Sequence, residues 1–374
     1  PIKVSRIYKN KIIQKKADNN GNNNFIYNIS NKGGNTTTNT IIKYEKNDTV
    51  ENIDNKSDYV RSKRCYMKMK KSNEKKLSMT NIIATPDKIK EISNKCIIPT
   101  FNDDDYKYIK PIGEGSYGMI FLVKNIKTNK EYALKKILCK NVNEILKYKR
   151  QLELIYSMKH DNIMKIYNLQ FKYLDLTTYS LYVIMEKAIG DWSLDIRKRI
   201  LNKKYYKEIE IINILKQVVS ALFYLEERKV AHRDIKPQNI LIFPGKIYKV
   251  ADLGEAKNID NINREITLRG SELYMSPLIY KQHKLNKKDL VHNAFKSDVF
   301  SLGFSTLYAI CLNLNAIEDI REYDNMKSIA NSIDKYFNKN LYSEKLYKLI
   351  LNVIEIDENK RYIVGAGINT RDYE

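Results

Sequence analysis

An α+β fold of two unequal lobes, a small β-rich one followed by a larger and mainly helical one, is what the sequence predicts. Three observations carry it. Between residues 106 and 185 five short β-rich runs recur with turns between them. A stretch of helical period interrupts them after the third run. Beyond residue 190 the pattern turns helical and includes a broad apolar stripe of the kind a buried helix shows.

In chain order, runs at 106–112, 119–124 and 132–138 open an antiparallel sheet. Residues 142–158 then set Ile145, Leu146, Leu152, Ile155 and Met158 near a period of about 3.6 residues, which predicts one helix. Runs at 164–171 and 181–185 bring the lobe to five strands, and 186–190 read as a linker. Past it, Ile211, Ile214, Leu215, Val218, Val219, Leu222 and Leu225 form the stripe of a buried helix. The folded domain is expected over about 101–364, its small lobe about 101–186 and its large lobe about 187–364, with a short tail at 365–374. Residues 1–100, rich in Asn and Lys and without a sustained period, read as a disordered basic arm, with a short helix after Pro86.

Of the 374 residues 43% are hydrophobic and 28 are Tyr, enough for a sizeable core. Cys65, Cys96, Cys139 and Cys311 make no Cys-x-x-Cys pair and no zinc spacing, so free thiols in a reducing compartment are expected. No apolar run approaches the roughly 18 residues of a membrane span, and the first residues lack a signal-peptide core. A soluble intracellular protein, cytoplasmic rather than nuclear, is the expectation. The formal net charge is +22, and residues 1–100 hold 21 Lys and Arg against 9 Asp and Glu. The densest cluster, Arg61-Ser62-Lys63-Arg64 continued by Lys68, Lys70, Lys71, Lys75 and Lys76, suits nucleic acid or an anionic membrane as well as it suits a solvated charge run. It carries no recognition motif, and Tyr66, Met67 and Met69 make no stacking platform.

The stretch with the densest chemistry is His232-Arg233-Asp234-Ile235-Lys236-Pro237-Gln238-Asn239. Asp234 is placed to accept a proton from an alcohol, or to act as a loop cap, and Asn239 can help hold a metal ion beside it. Asp252 follows the short apolar run 247–250 and so stands at a strand end, where it can bind the same ion. Upstream, Gly113-Glu114-Gly115-Ser116-Tyr117-Gly118 lies between two strand-like runs, either as an ordinary tight hairpin or as a cover for phosphates.

Five motifs in this order, the glycine turn, Ala133-Leu134-Lys135, the loop around Asp234, Ala251-Asp252-Leu253-Gly254 and Asp298-Val299-Phe300-Ser301-Leu302-Gly303, resemble the eukaryotic protein kinase family, Ser/Thr type. The resemblance covers about 101–364 and implies the two-lobed kinase fold, ATP and Mg²⁺ as cofactors and transfer of the γ-phosphate to Ser or Thr of a protein substrate. By the same likeness Asp234, Lys236 and Lys135 are catalytic, and Asn239 and Asp252 are the metal ligands. The nucleotide pocket would be Ile112, Gly113, Gly115, Gly118, Ile120, Ala133, Lys135, Leu241 and the gatekeeper and hinge residues Met185, Glu186 and Ala188. Asp298 would cap the catalytic-loop backbone, and Ser271 would lie near Asp234 and Lys236. Arg233 and Lys257 match positions that hold a phosphate, with Thr267 the residue they would hold, which implies an upstream activating kinase. Gln238 and Tyr308 stand where base-preferring members carry acids.

Three positions depart from the family pattern. Leu253 replaces a Phe and still supplies an apolar peg. Leu278 stands where a Glu would pair with Arg361, which leaves Arg361 without that partner. Gln151 stands on the helix where a Glu would pair with Lys135; a neutral amide can accept a bond from the ammonium, so Gln151→Glu is expected to keep or raise activity and Gln151→Leu to lower it. A nucleotide- or partner-binding module with little turnover is the alternative that Gln151 and Leu278 favour.

Overall fold

The structure, a computed structural model, describes residues 85–364 apart from 116–117, 176–177, 260–264 and 322, together with the backbone of three short strands nearer the N-terminus. Residues 1–78 and 79–374 form two separate units. In the first, β1 (Ile13–Ala17), β2 (Asn23–Asn28) and β3 (Asn39–Ile42) form an antiparallel meander. The rest of that unit, including the basic cluster at 61–76, lies outside the described residues.

The second unit opens earlier than the sequence implied. Helix α1 (Pro86–Asn94) is capped by the Thr85 side chain, which accepts from the Lys88 N–H, and Pro86 occupies the first turn, where a missing N–H costs nothing. Ile89 and Ile92, three apart and therefore on one face, are buried in the main core with Ile98. The helix lies against the strand at 166–175. Beyond it the Leu169 N–H donates to the Pro99 carbonyl at 3.0 Å and the Ile97 N–H to Glu153 Oε1 at 3.0 Å. Residues 85–100 are thus part of the fold rather than of a charged arm. Composition misplaced the boundary because charge density hides two isoleucines at helical spacing. Ile92→Ala is expected to cost about 2–4 kcal/mol, read as a lower denaturation midpoint at constant slope. An unchanged midpoint would mean that α1 is detached in solution.

The small lobe is a five-stranded antiparallel sheet in the order β4 (Tyr106–Gly115), β5 (Gly118–Asn125), β6 (Glu131–Cys139), β8 (Thr178–Met185), β7 (Ile166–Asp175). All five expected strands are present. All five extend past the expected bounds at their turns, β4, β7 and β8 by three or four residues, because the ladder continues through glycines and polar residues that no apolar pattern marks. Alternation divides the two faces. Leu134 packs outward with Val123, Tyr182 and Ile184 under a skirt of aromatic rings, Phe101 on Tyr106 and Tyr106 on Tyr132 edge to face. Ala133 and Lys135 point the other way, into the space between the lobes. Helix α2 (Val142–Ser157), capped by Asn141, turns Val142, Ile145, Leu152 and Ile155 into the core.

In the large lobe α3 (Trp192–Leu201) and α4 (Glu208–Glu227) precede a small sheet of β9 (Gly190–Asp191), β11 (Ile240–Phe243) and β12 (Ile247–Val250). The predicted stripe of α4 is buried throughout. β10 (Val230–Ala231) pairs with β13 (Lys257–Asn258), and β14 (Glu265–Thr267) with β15 (Asp289–Val291). α5 (Pro277–Lys284) follows residues 265–276, and α6 (Ala294–Cys311), α7 (Asn315–Glu318), α8 (Met326–Ile333) and α9 (Glu344–Val353) build the remainder. α6 is the lobe's central helix, apolar almost all round and in contact with both α4 and α9. Arg361, expected to lack the usual Glu partner at position 278, is 2% exposed and donates to three backbone carbonyls, those of Glu355 (2.7 Å), Ile356 (3.1 Å) and Lys296 (3.2 Å). Burial pushes its pKa down to about 10, with Glu358, Glu355 and Asp357 opposing. Carbonyl dipoles do here the work assigned to a carboxylate.

Candidate active site

The floor of the site is set by one hairpin. β11 and β12 pair with Ile240 opposite Val250, so the residue before one strand and the residues after the other meet, and the Ala251 N–H donates to the Asn239 carbonyl at 2.9 Å. That register brings Asn239 and Asp252 together across thirteen positions of sequence. Asp252 takes a left-handed conformation, φ 60 and ψ 62, and opens the single turn Leu253–Glu255, with Leu253 1% exposed behind it. Asp is among the few side-chain-bearing residues that tolerate this region.

The loop from His232 to Asn239 is held from below. Asp298, buried in α6, accepts from the His232 N–H at 2.7 Å and the Arg233 N–H at 2.8 Å, the cap the sequence implied. Burial raises its pKa to about 6, while His232 and Arg233 pull it the other way. Arg233 is left-handed at φ 67, and the fully buried His232 reaches the Ala251 carbonyl at 3.0 Å. Above this, Asp234 is the hub of a small network. Lys236 Nζ lies 2.7 Å from its Oδ2, and Asn239 Nδ2 donates to Oδ2 at 3.0 Å and to the Asp234 carbonyl at 2.8 Å. Ser271 gives Oδ1 both its N–H and its hydroxyl, each at 2.8 Å, while Lys236 reaches the Ser271 hydroxyl at 2.6 Å. Ser271 sits where the resemblance put it.

The roof is the sheet. Lys135 Nζ stands 3.8 Å from Asp252 Oδ1, which spans the lobes. At Gly118, φ 148, an added Cβ would fall 1.8 Å from the Lys136 carbonyl oxygen, so β5 can begin this close against β6 only with glycine there. Its Cα partner is Gly115; Ser116 and Tyr117 between them lie outside the described residues. Between roof and floor is a cleft of about 1010 Å³ lined by Ile112, Gly113, Ile120, Ala133, Lys135, Met185, Glu186, Ala188, Leu241, Asn239 and Asp252, among others. Such a volume accommodates a nucleotide. In the hinge, the Glu186 and Ile189 amides are taken by the carbonyls of Lys165 (3.1 Å) and Ile242 (2.8 Å). The Glu186 side chain has a structural task the sequence did not disclose: it accepts from the Lys165 N–H and from Lys249 Nζ, both at 2.6 Å. That buried pair ties the hinge to β12.

An oxygen-only pair, the Asn239 amide oxygen and the Asp252 carboxylate, suits a hard cation such as Mg²⁺. Asn239 Nδ2 is committed to Asp234, which turns the amide oxygen to the other side.

Of the regulatory candidates, Arg233 and Thr267 are brought together: Nη1 donates to the Thr267 carbonyl at 3.1 Å and Nε to the Glu255 carbonyl at 2.7 Å. Burial lowers the pKa of Arg233, with Glu255 and Asp298 opposing. Lys257 is exposed on β13, and among the described residues no hydrogen bond or ion pair joins it to Thr267. Arg269, unremarked in the sequence, is nearby and pairs with Glu255 at 3.6 Å. Gln151 donates from its amide nitrogen to the Gly254 carbonyl, a bond the sequence did not foresee.

Fold and site together define a two-lobed protein with a nucleotide-sized cleft, a lysine in its roof and an acid–amide–acid floor. Residues 106–370 match the family model of the protein kinase domain, and the chain belongs to that family. It is similar to the probable serine/threonine-protein kinase nek3 of Dictyostelium discoideum, 32% identical over 271 residues, 69% of this chain and 22% of that protein. Serine/threonine-protein kinase atg1 of the same organism is 29% identical over 272 residues, 69% of this chain and 37% of that protein. Serine/threonine-protein kinase Nek4 of Mus musculus is 32% identical over 203 residues, 53% of this chain and 24% of that protein. The chain thus spans well under half the length of these relatives.

Proposed function

We propose that this chain transfers the γ-phosphate of ATP to Ser or Thr hydroxyls of protein substrates. The observation that carries the reading is the Asp234 carboxylate, fixed by Lys236, Asn239 and Ser271 and already accepting a serine hydroxyl at 2.8 Å. A substrate hydroxyl making the same bond is oriented for attack and gives up its proton to Asp234 as transfer completes. Lys236, next to that hydroxyl, offsets charge on the transferring group, and Lys135 orients the phosphates from the roof. Asn239 and Asp252 would hold Mg²⁺, which when bound neutralises phosphate oxygens. The relatives, whose names are those of Ser/Thr kinases, and Lys236 two residues after the catalytic acid support the hydroxyl class. Purified protein assayed on a peptide array beside Asp234→Asn tests it: wild type labels Ser/Thr peptides and the variant does not. Nucleotide binding without transfer by wild type would favour the second reading, a nucleotide-binding module, for which the neutral Gln151 speaks.

Activation through Thr267 belongs to the same proposal, with an upstream kinase as partner. A phosphate there adds about −1.5 to −2 charges within reach of Arg233, which already touches the Thr267 backbone, and it competes with Glu255 for Arg269. Thr267→Ala is expected to lower kcat/KM about tenfold, the equivalent of one charge-assisted bond. A fully active Thr267→Ala, with Thr267 unmodified in mass spectra of an active preparation, would rule this out.

A further inference from the structure

Gln151 hangs from α2 into the cleft, and the Gly254 carbonyl accepts its amide N–H. The next carbonyl, that of Glu255, accepts from Arg233 Nε at 2.7 Å. Two consecutive carbonyls of one short turn are therefore held by side chains from different lobes. Immediately before the turn stands Asp252, left-handed at φ 60 and ψ 62, whose backbone runs directly into those two held carbonyls. The direction of its carboxylate thus depends on how the turn is anchored.

We infer that Gln151 is a positioning residue: its amide donor ties α2 to the Asp252 turn and couples the helix to the metal-binding acid. The consequence for turnover rests on the kinase proposal; the tie itself does not. Glutamate cannot supply this chemistry, because an ionised carboxylate only accepts and would set its oxygens against the Gly254 carbonyl. Gln151→Glu, which a comparison of positions makes look like a repair, therefore breaks the tie, contrary to the expectation drawn from sequence. Gln151→Leu breaks it as well, without adding charge.

Hydrogen exchange on the full chain without nucleotide reads the tie. Both variants are expected to exchange the amides of residues 253–256 about tenfold faster than wild type, the equivalent of one lost hydrogen bond, with Tm within roughly 2 °C. In turnover, the Mg²⁺ concentration for half-maximal rate rises about five- to tenfold in both, while KM for ATP at saturating Mg²⁺ changes less than about twofold. Wild-type protection in Gln151→Glu, with activity at or above wild type, overturns the inference, because the acceptor oxygen is then the part that counts. A lower Tm with unchanged Mg²⁺ dependence also overturns it, leaving a packing role. A wild-type protein without turnover sinks the kinase proposal, and exchange at 253–256 then decides the tie alone.

Discussion

Replacing Asp252 by Asn is expected to lower phosphate transfer by about two orders of magnitude or more while leaving the fold intact. Asn is the right substitute because position 252 is left-handed, a conformation Asn tolerates and Ala does not, so the backbone stays in place and only the charge is lost. What disappears is the anionic oxygen facing both Lys135, at 3.8 Å, and the place for the cation beside Asn239. A metal ion is worth several kcal/mol of charge stabilisation to such a transfer, and each 1.4 kcal/mol is about tenfold in rate. Stability should move by no more than about 0.5 kcal/mol, since the carboxylate is partly exposed. Lys135→Met should show a comparable loss from the roof side. Near wild-type turnover by Asp252→Asn, with Tm unchanged, would take the metal role away from this residue.

How much of this was legible in the sequence follows the range of the interactions. The five strands and α2 were readable because alternation and helical period are local signals, and the loop from His232 to Asn239 because its residues act close to where they stand in the chain. Asp298 and Ser271 were placed correctly only through the family likeness, which supplied long-range neighbours that periodicity does not. Where neither signal operates, the sequence was silent. Lys249 stands unremarked within the short run 247–250, yet it is buried against Glu186 from sixty-three positions away. Arg361 reads as an arginine deprived of its carboxylate, because backbone carbonyls at a helix end leave no trace in composition. Gln151 was judged by the residue it replaces. Its partner is set by which end of the amide faces the turn, and that is a property of the folded cleft. The helix after Pro86 was readable, but that it packs into the core was not, because the charged segment leading into it set the expected boundary near residue 101.

Gly270 is the second position at which one atom should decide activity. Its φ is +113, a region L side chains rarely adopt, and an added Cβ would lie 2.5 Å from the Arg233 carbonyl oxygen. That oxygen has little room to retreat. Arg233 is itself left-handed at φ 67, and its N–H is tied to Asp298 at 2.8 Å. Gly270→Ala must therefore move the loop that carries Ser271, and with it both bonds from Ser271 to Asp234 and the one from Lys236. Ser271→Ala removes only the hydroxyl bonds and keeps the backbone N–H, so it should lower kcat/KM about tenfold, as one or two lost bonds would. Gly270→Ala loses all of them and misplaces the loop, for about a hundredfold or more; strain of roughly 1–3 kcal/mol confined to this loop lowers Tm by only a few degrees. Kinetics of the two variants measured together separate the loss of a hydroxyl from the loss of a loop position. Equal rates for both, or a wild-type rate for Gly270→Ala, would show that the loop can reach Asp234 without passing against Arg233.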